Sequence, residues 1–190
     1  MYNNWYDLKS DCGTCRKCPL GETRTNLVFG VGNENAEVML IGEGPGEQED
    51  LQGEPFVGKS GQLLDKYLAA IELDRNKNVY IANIVKCRPP HNRDPKPEEQ
   101  DACILWLKEQ TRLIHPKIIV CVGRIAAQRL MDPSFRVTKQ HGEFINRNGF
   151  LMMGTFHPAA LLRNPSQKPD AFEDFLALRE KIKETCENTY

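Results

Sequence analysis

The stretch "EVMLIGEG", residues 37–44, decides how the rest of the chain is read. Val38 to Ile41 form an unbroken apolar run that ends on glycine. A strand with one wet face alternates apolar and polar residues, whereas an unbroken run suits a strand covered on both faces. Working outward, "NVYIANIV" (78–85), "KIIVCVG" (117–123) and "FLMMGTF" (150–156) share that character. Helical patterns lie between and after them. "SGQLLDKYLAAIEL" sets Leu63, Leu64, Tyr67, Leu68 and Ile71 on one side, with Ser60 as the expected cap. "PKPEEQDACILWLKEQTRLI" has prolines and acids at its front, "GRIAAQRLM" follows the third run, and "DAFEDFLALREKIKE" closes the chain as an amphipathic helix. Strands alternating with helices predict an α/β fold, a three-layer α/β/α sandwich with a small, mainly parallel central sheet. Asn148-Gly149 predicts one antiparallel hairpin before the last main strand.

With 190 residues and 40% apolar content, residues 1–190 are expected to form one domain. No run approaches the roughly 18 apolar residues that span a bilayer. The start "MYNNWYDLKSDC" lacks the layout of a secretory signal, so a cytoplasmic, membrane-free protein and a monomer are expected. The formal net charge of -1 argues against indiscriminate polyanion binding. Locally, Lys86, Arg88, Arg93 and Lys96 stand against Asp94 alone, an island of positive charge or a solvated loop.

"GEPFVGKSG" (53–61) matches the phosphate-loop pattern G-x-x-x-x-G-K-[ST]. Its context fails. A phosphate loop begins where its strand ends, but the acid-rich stretch with Glu43, Glu47, Glu49 and Asp50 intervenes, and Glu54 would sit inside the cradle. Gly42-Glu43-Gly44-Pro45-Gly46 is not a dinucleotide fingerprint either; it offers a tight turn with close backbone approach. Stretches 42–59 and 86–97, the longest irregular ones, leave the carboxyl ends of predicted strands, where open α/β sheets bind ligands.

Seven cysteines in a chain without an export signal favour metal ligation over disulfides. In "CGTCRKCPL", Cys12, Cys15 and Cys18 recur every three residues, as on one helical turn that Pro19 would stop. Cys87 and Cys103 stand after the second strand and in the next helix. Four thiolates from this set fit either a 4Fe-4S cluster or zinc, and spacing alone does not separate them. Cys121 reads as a buried hydrophobe, and Cys186 has no evident partner.

Taken together, "CRKCPLGETRTNLVFGVG", "GEGPGEQEDLQGEPFVGKSGQLLD", "NVYIANIVKCRPP" and "TFHPAALLRNP" resemble family 4 uracil-DNA glycosylase, the iron-sulfur type. The resemblance implies hydrolysis of the bond between uracil and deoxyribose in DNA, with the base flipped into a pocket. It implies a 4Fe-4S cluster on Cys15, Cys18, Cys87 and Cys103, leaving Cys12 spare. Phe56 matches the aromatic wall that stacks on uracil, and Asn83 the reader whose amide donates to O4 and accepts from N3-H. His157 matches the histidine that supports O2 of the leaving base. Gly42, Gly44 and Glu47 would line the base site, with Glu47 crowding the C5 position. Where other branches carry Asp or Asn, position 44 is glycine, so Glu43 is the nearest carboxylate: it would position water or merely shape the loop. Leu161 and Leu162 would enter the duplex, while Arg163, Lys59, Ser60, Lys86, Arg88 and Arg93 would meet phosphates. Two other classes are carried against this reading. An iron-sulfur electron carrier predicts a reversible couple, and a zinc-stapled DNA-binding module without activity predicts a colourless protein.

Overall fold

A computed structural model describes residues 1–190. The chain opens with helices α1 (Trp5–Gly13) and α2 (Leu20–Thr23), then strands β1 (Val31–Gly32) and β2 (Val38–Gly42). Helices α3 (Glu47–Gln52) and α4 (Lys59–Ala70) lead to β3 (Val79–Asn83) and the long α5 (Pro97–Ile114). Strand β4 (Ile118–Val122), helices α6 (Arg124–Leu130) and α7 (Val137–Gln140), and the hairpin β5 (Phe144–Arg147) and β6 (Phe150–Thr155) follow. Helices α8 (Pro158–Arg163) and α9 (Lys168–Thr185) complete the fold.

The six strands form one sheet in the order β1-β3-β2-β4-β6-β5. The four inner strands run parallel, and β1 and β5 are antiparallel edges. Every residue of β2, β3 and β4 is buried, as unbroken apolar runs require. Because successive side chains leave opposite faces, Met39, Ile41, Tyr80 and Cys121 pack with α1, α5 and α6, whereas Val38, Leu40, Ile81 and Val120 pack with α4 and α9. The α/β/α sandwich expected from the sequence is the fold. Asn148 and Gly149 both take positive φ (52° and 84°), the backbone of a two-residue hairpin turn.

Three local expectations need correction. Cys12, Cys15 and Cys18 do not share a helical turn: α1 ends at Gly13, Cys15 and Cys18 lie beyond it, and Pro19 opens α2 rather than stopping a turn. Ser60 does not cap α4; Gly58 holds that position and Ser60 sits inside the first turn. The stretch 42–59 is not wholly irregular, because the acids Glu47, Glu49 and Asp50 fill the first turn of α3, where the helix dipole favours them.

For function, the decisive feature is register. Gly42 pairs with Asn83, and Val122 with Thr155, so the carboxyl ends of the parallel strands finish together at one edge. The loops that leave this edge build the cleft described next.

Candidate active site and cysteine centre

The misleading "GEPFVGKSG" folds as a pedestal for one ring. Phe56 holds φ at 54°, a strained value for a bulky side chain, so its neighbours must over-determine it. They do so from both sides. Glu49, buried on α3, accepts from the amides of Val57 and Gly58, both at 3.0 Å. Arg75 donates to the carbonyls of Pro55 (2.8 Å) and Phe56 (2.6 Å) and is itself held by Asp65 (2.8 Å) and Glu54 (3.3 Å). Gly61 lets α4 press on this loop, since a Cβ there would lie 1.8 Å from the Phe56 carbonyl oxygen. Sequence reasoning missed Arg75 and the clamping role of Glu49, because a structural ion pair leaves no local pattern.

Facing Phe56 is Asn83, at the last position of β3 and 2% exposed. Its Oδ1 is the one buried side-chain polar atom with no hydrogen-bond partner. Native proteins rarely leave such an atom orphaned, so its position marks a place where a ligand group belongs. Gly42, beside it, is required by space: a Cβ would lie 2.5 Å from Asn83 Oδ1 and 2.6 Å from Phe56 Cζ. Gly44 is similarly tight, its Cβ position lying 2.7 Å from Val85 Cγ2.

His157 caps α8, and its ring stacks on that of Phe56 with centroids 5.6 Å apart and planes 29° from parallel. Nδ1 accepts from the Ala159 amide at 3.1 Å, so in the neutral ring the proton sits on Nε2. Burial, and then the charge of Arg163, bring the imidazole pKa down to about 4, with Glu49 opposing. The ring is thus a neutral donor. Glu43 shows the reverse shift. Burial, reinforced by Asp94 and opposed by Arg124, raises its carboxyl to about 7. Asp94 and Arg124 pair with each other at 2.7 Å.

Glu43, Phe56, Asn83, Arg124, His157 and Arg163 line one cleft of about 620 Å3. Glu47 also lines it, but its exposed carboxylate lies 3.8 Å from Arg88, at the rim. Among the residues expected to meet phosphate, Lys59 and Arg163 are exposed, Ser60 lines the cleft and Arg88 is half-buried. Lys86 is not on the surface. It is wholly buried and donates to the Asn83 carbonyl (2.9 Å) and Gln110 Oε1 (2.6 Å). Arg93 also lines the cleft, with its guanidinium paired to both oxygens of buried Glu99 (2.9 and 2.7 Å) at the start of α5. Leu161 packs in the core while Leu162 is 42% exposed, so only the second of the two leucines can enter a duplex. Arg124 was not singled out from sequence, where it reads as an ordinary helix residue; the cleft makes it a phosphate candidate.

On the opposite side of β3, Cys15, Cys18, Cys87 and Cys103 line a second, small pocket with Trp106 and Lys86. Three of the four sulfurs receive N–H donors: Cys87 from Arg24 Nη1 (3.2 Å), Cys103 from the Lys86 amide (3.2 Å) and Cys15 from Trp106 Nε1 (3.4 Å). Such donors suit thiolates engaged with a metal. No three of the His, Cys, Asp and Glu side chains lie close enough to grip a single ion. Burial holds the Cys103 thiol up at about 11, so ligation here would release protons. Cys12, spare by sequence, is buried in α1 and does not line the pocket. No helix is long and apolar enough to cross a membrane.

Comparison with known proteins agrees in one direction. The family model described as "Uracil DNA glycosylase superfamily" matches residues 29–179, which leaves Cys15 and Cys18 outside it. The type-4 uracil-DNA glycosylase of Archaeoglobus fulgidus is 45% identical over 188 residues, covering 95% of this chain and 92% of the relative. That of Thermotoga maritima is 46% identical over 156 residues, 81% of each chain. A type-5 uracil-DNA glycosylase of Pyrobaculum aerophilum is more distant, 32% identical over 146 residues, 68% of this chain and 64% of the relative.

Proposed function

This chain belongs to the type-4 branch of the uracil DNA glycosylase superfamily, and from that premise we propose that it is a DNA-repair hydrolase that flips uracil from DNA and cleaves its N-glycosidic bond. The observation that carries the reading is the orphaned amide oxygen of Asn83, beside Gly42 and Phe56. Uracil offers an N3-H donor and an O4 acceptor side by side, and one carboxamide satisfies both. Cytosine presents the opposite pattern at those atoms and would leave the amide unpaired, which is the stronger source of selectivity.

Phe56 supplies the wall on which the flipped ring stacks. As the C1′–N1 bond breaks, electrons move onto the base and charge gathers at O2. Nε2–H of neutral His157 donates to that oxygen, a preorganised contact of the kind worth about 3 kcal/mol. With its pKa near 4 the ring carries no imidazolium proton to hand over at neutral pH; it stabilises the anion through its Nε2–H and leaves protonation to solvent. Glu43, ionising near 7, takes the proton of the attacking water as its oxygen bonds to C1′, and its charge supports the oxocarbenium-like sugar. The raised pKa favours this role over that of a loop former. Gly44 keeps the turn narrow beside it, and Glu47, paired with Arg88, closes the rim on the C5 side.

Leu162 fills the space the base vacates, supported from the core by Leu161. Lys59, Ser60, Arg88, Arg163 and Arg124 meet the flanking phosphates, so binding weakens with salt. Cys15, Cys18, Cys87 and Cys103 fit a 4Fe-4S cluster by donor chemistry: thiols only, in an apolar pocket, with N–H groups aimed at sulfur. Bound there, the cluster supplies a structural cross-link between the amino-terminal segment, the exit of β3 and α5. The protein acts as a single-domain monomer in the cytoplasm, where it meets DNA.

The test is release of free uracil from a uracil-containing oligonucleotide by the purified protein without added metal or nucleotide, read as strand cleavage after alkali. No uracil release from either single- or double-stranded substrate would overturn the proposal.

A further inference from the structure

Lys86 is the residue that sequence placed on the DNA and the fold placed in the interior, at 0% exposure. Its backbone amide donates to Cys103 Sγ at 3.2 Å, and its neighbour in the chain is Cys87. Its ammonium donates in the other direction, to the carbonyl of Asn83 at 2.9 Å and to Gln110 Oε1 at 2.6 Å. Gln110, also wholly buried, donates in turn to the Phe29 carbonyl at 2.9 Å, so the ammonium is held against a fixed frame. Both of its acceptors are neutral. Lysine is almost never fully buried without an anion, because desolvating the charge is costly. Sulfurs able to supply one lie beside it: Cys103 and Cys87 line the same pocket as Lys86 and become thiolates when they ligate a metal.

We propose that Lys86 is a positioning residue that ties the base reader to the cysteine centre: ligated thiolates supply the negative charge its ammonium lacks, and the ammonium fixes the backbone of Asn83. This rests on reading Cys15, Cys18, Cys87 and Cys103 as cluster ligands. It gives the cluster a reason to exist in a hydrolase, whose reaction involves no net oxidation or reduction. The centre holds in place the carboxamide that recognises uracil, and base recognition is coupled to its integrity.

The experiment compares the wild-type holoprotein with Lys86→Met. Two quantities are read on each: the rate at which a chelator strips iron, followed by visible absorption and iron content, and the inhibition constant of free uracil together with KM and kcat. The variant is expected to lose iron faster and bind uracil more weakly, each by about 10- to 100-fold, the range found for groups that orient a metal's own ligands. KM should carry more of the loss than kcat, because His157 and Glu43 are untouched. Iron retention and uracil affinity both unchanged would overturn the inference, as would a change in iron retention alone. Should Lys86→Met not fold, Gln110→Leu removes one of the two acceptors, and the same two quantities must shift together, by less. Wild-type protein without iron is a different failure: it removes the cluster reading itself.

Discussion

Lowering the pH through neutrality should slow the reaction, and Glu43 sets the midpoint. The free enzyme needs this carboxylate ionised, and burial with Asp94 nearby holds it at about 7. Below that midpoint kcat/KM should fall about tenfold per pH unit, and above it should level off. His157 adds no second limb in this window, since it stays neutral down to about 4. The assay is single-turnover uracil release from a short oligonucleotide in buffers of constant ionic strength, because phosphate contacts make binding sensitive to salt. Glu43→Gln should remove the pH dependence and lower the plateau by about 100- to 10,000-fold, the usual contribution of a positioned acid or base. Arg124→Gln should move the midpoint up and Asp94→Asn should move it down, because the two charges act on Glu43 with opposite sign. Stability must run the other way. A carboxyl raised in the fold is best tolerated protonated, so its contribution is complete below the ordinary carboxylate range and is lost as pH rises through 7. Glu43→Gln should therefore melt higher than wild type above neutrality. A rate profile flat from about pH 5 to 8, or a Glu43→Gln variant that keeps the same slope, would refute the assignment of this carboxylate as the base.

Asn83→Asp replaces the donor to O4 with an acceptor, and loss of that paired amide is expected to cost uracil about 1–3 kcal/mol in kcat/KM while release of cytosine becomes measurable. Competition between uracil- and cytosine-containing strands checks it. Gly42→Ala puts a methyl group 2.5 Å from Asn83 Oδ1 and 2.6 Å from Phe56 Cζ, so uracil release should disappear, with the overpacking lowering stability by about 1–3 kcal/mol. Arg75→Met removes two carbonyl contacts from the Phe56 loop. With about 1–3 kcal/mol of backbone strain then free to relax, the ring should leave its place, seen as weaker inhibition by free uracil.

The sheet was legible because burial on both faces writes itself into sequence as unbroken apolar runs, and all four runs became strands. Edge strand β1 is only two residues long and has no such signature. Phe56, Asn83, His157 and Glu43 were found through motifs, and the strand ends bring them to one cleft. What sequence could not convey is direction. Lys86 and Arg88 sit two apart in one basic loop, yet the first points into the core and the second toward the rim. Leu161 and Leu162 are equally apolar, and only the turn of α8 separates the core residue from the exposed one. Arg93 looked free until Glu99, six residues on, proved to be its buried partner. Arg75 and Glu49 escaped notice because their work is to hold a neighbouring backbone, and the atoms they hold are common to every residue type.

A crystal structure of the protein with free uracil tests the central claim most directly. The ring is expected to lie flat on Phe56, with the Asn83 amide against N3 and O4 and Nε2 of His157 within hydrogen-bond reach of O2. Uracil bound elsewhere, or seated in the cleft with the carboxamide of Asn83 still unpartnered, would contradict the account.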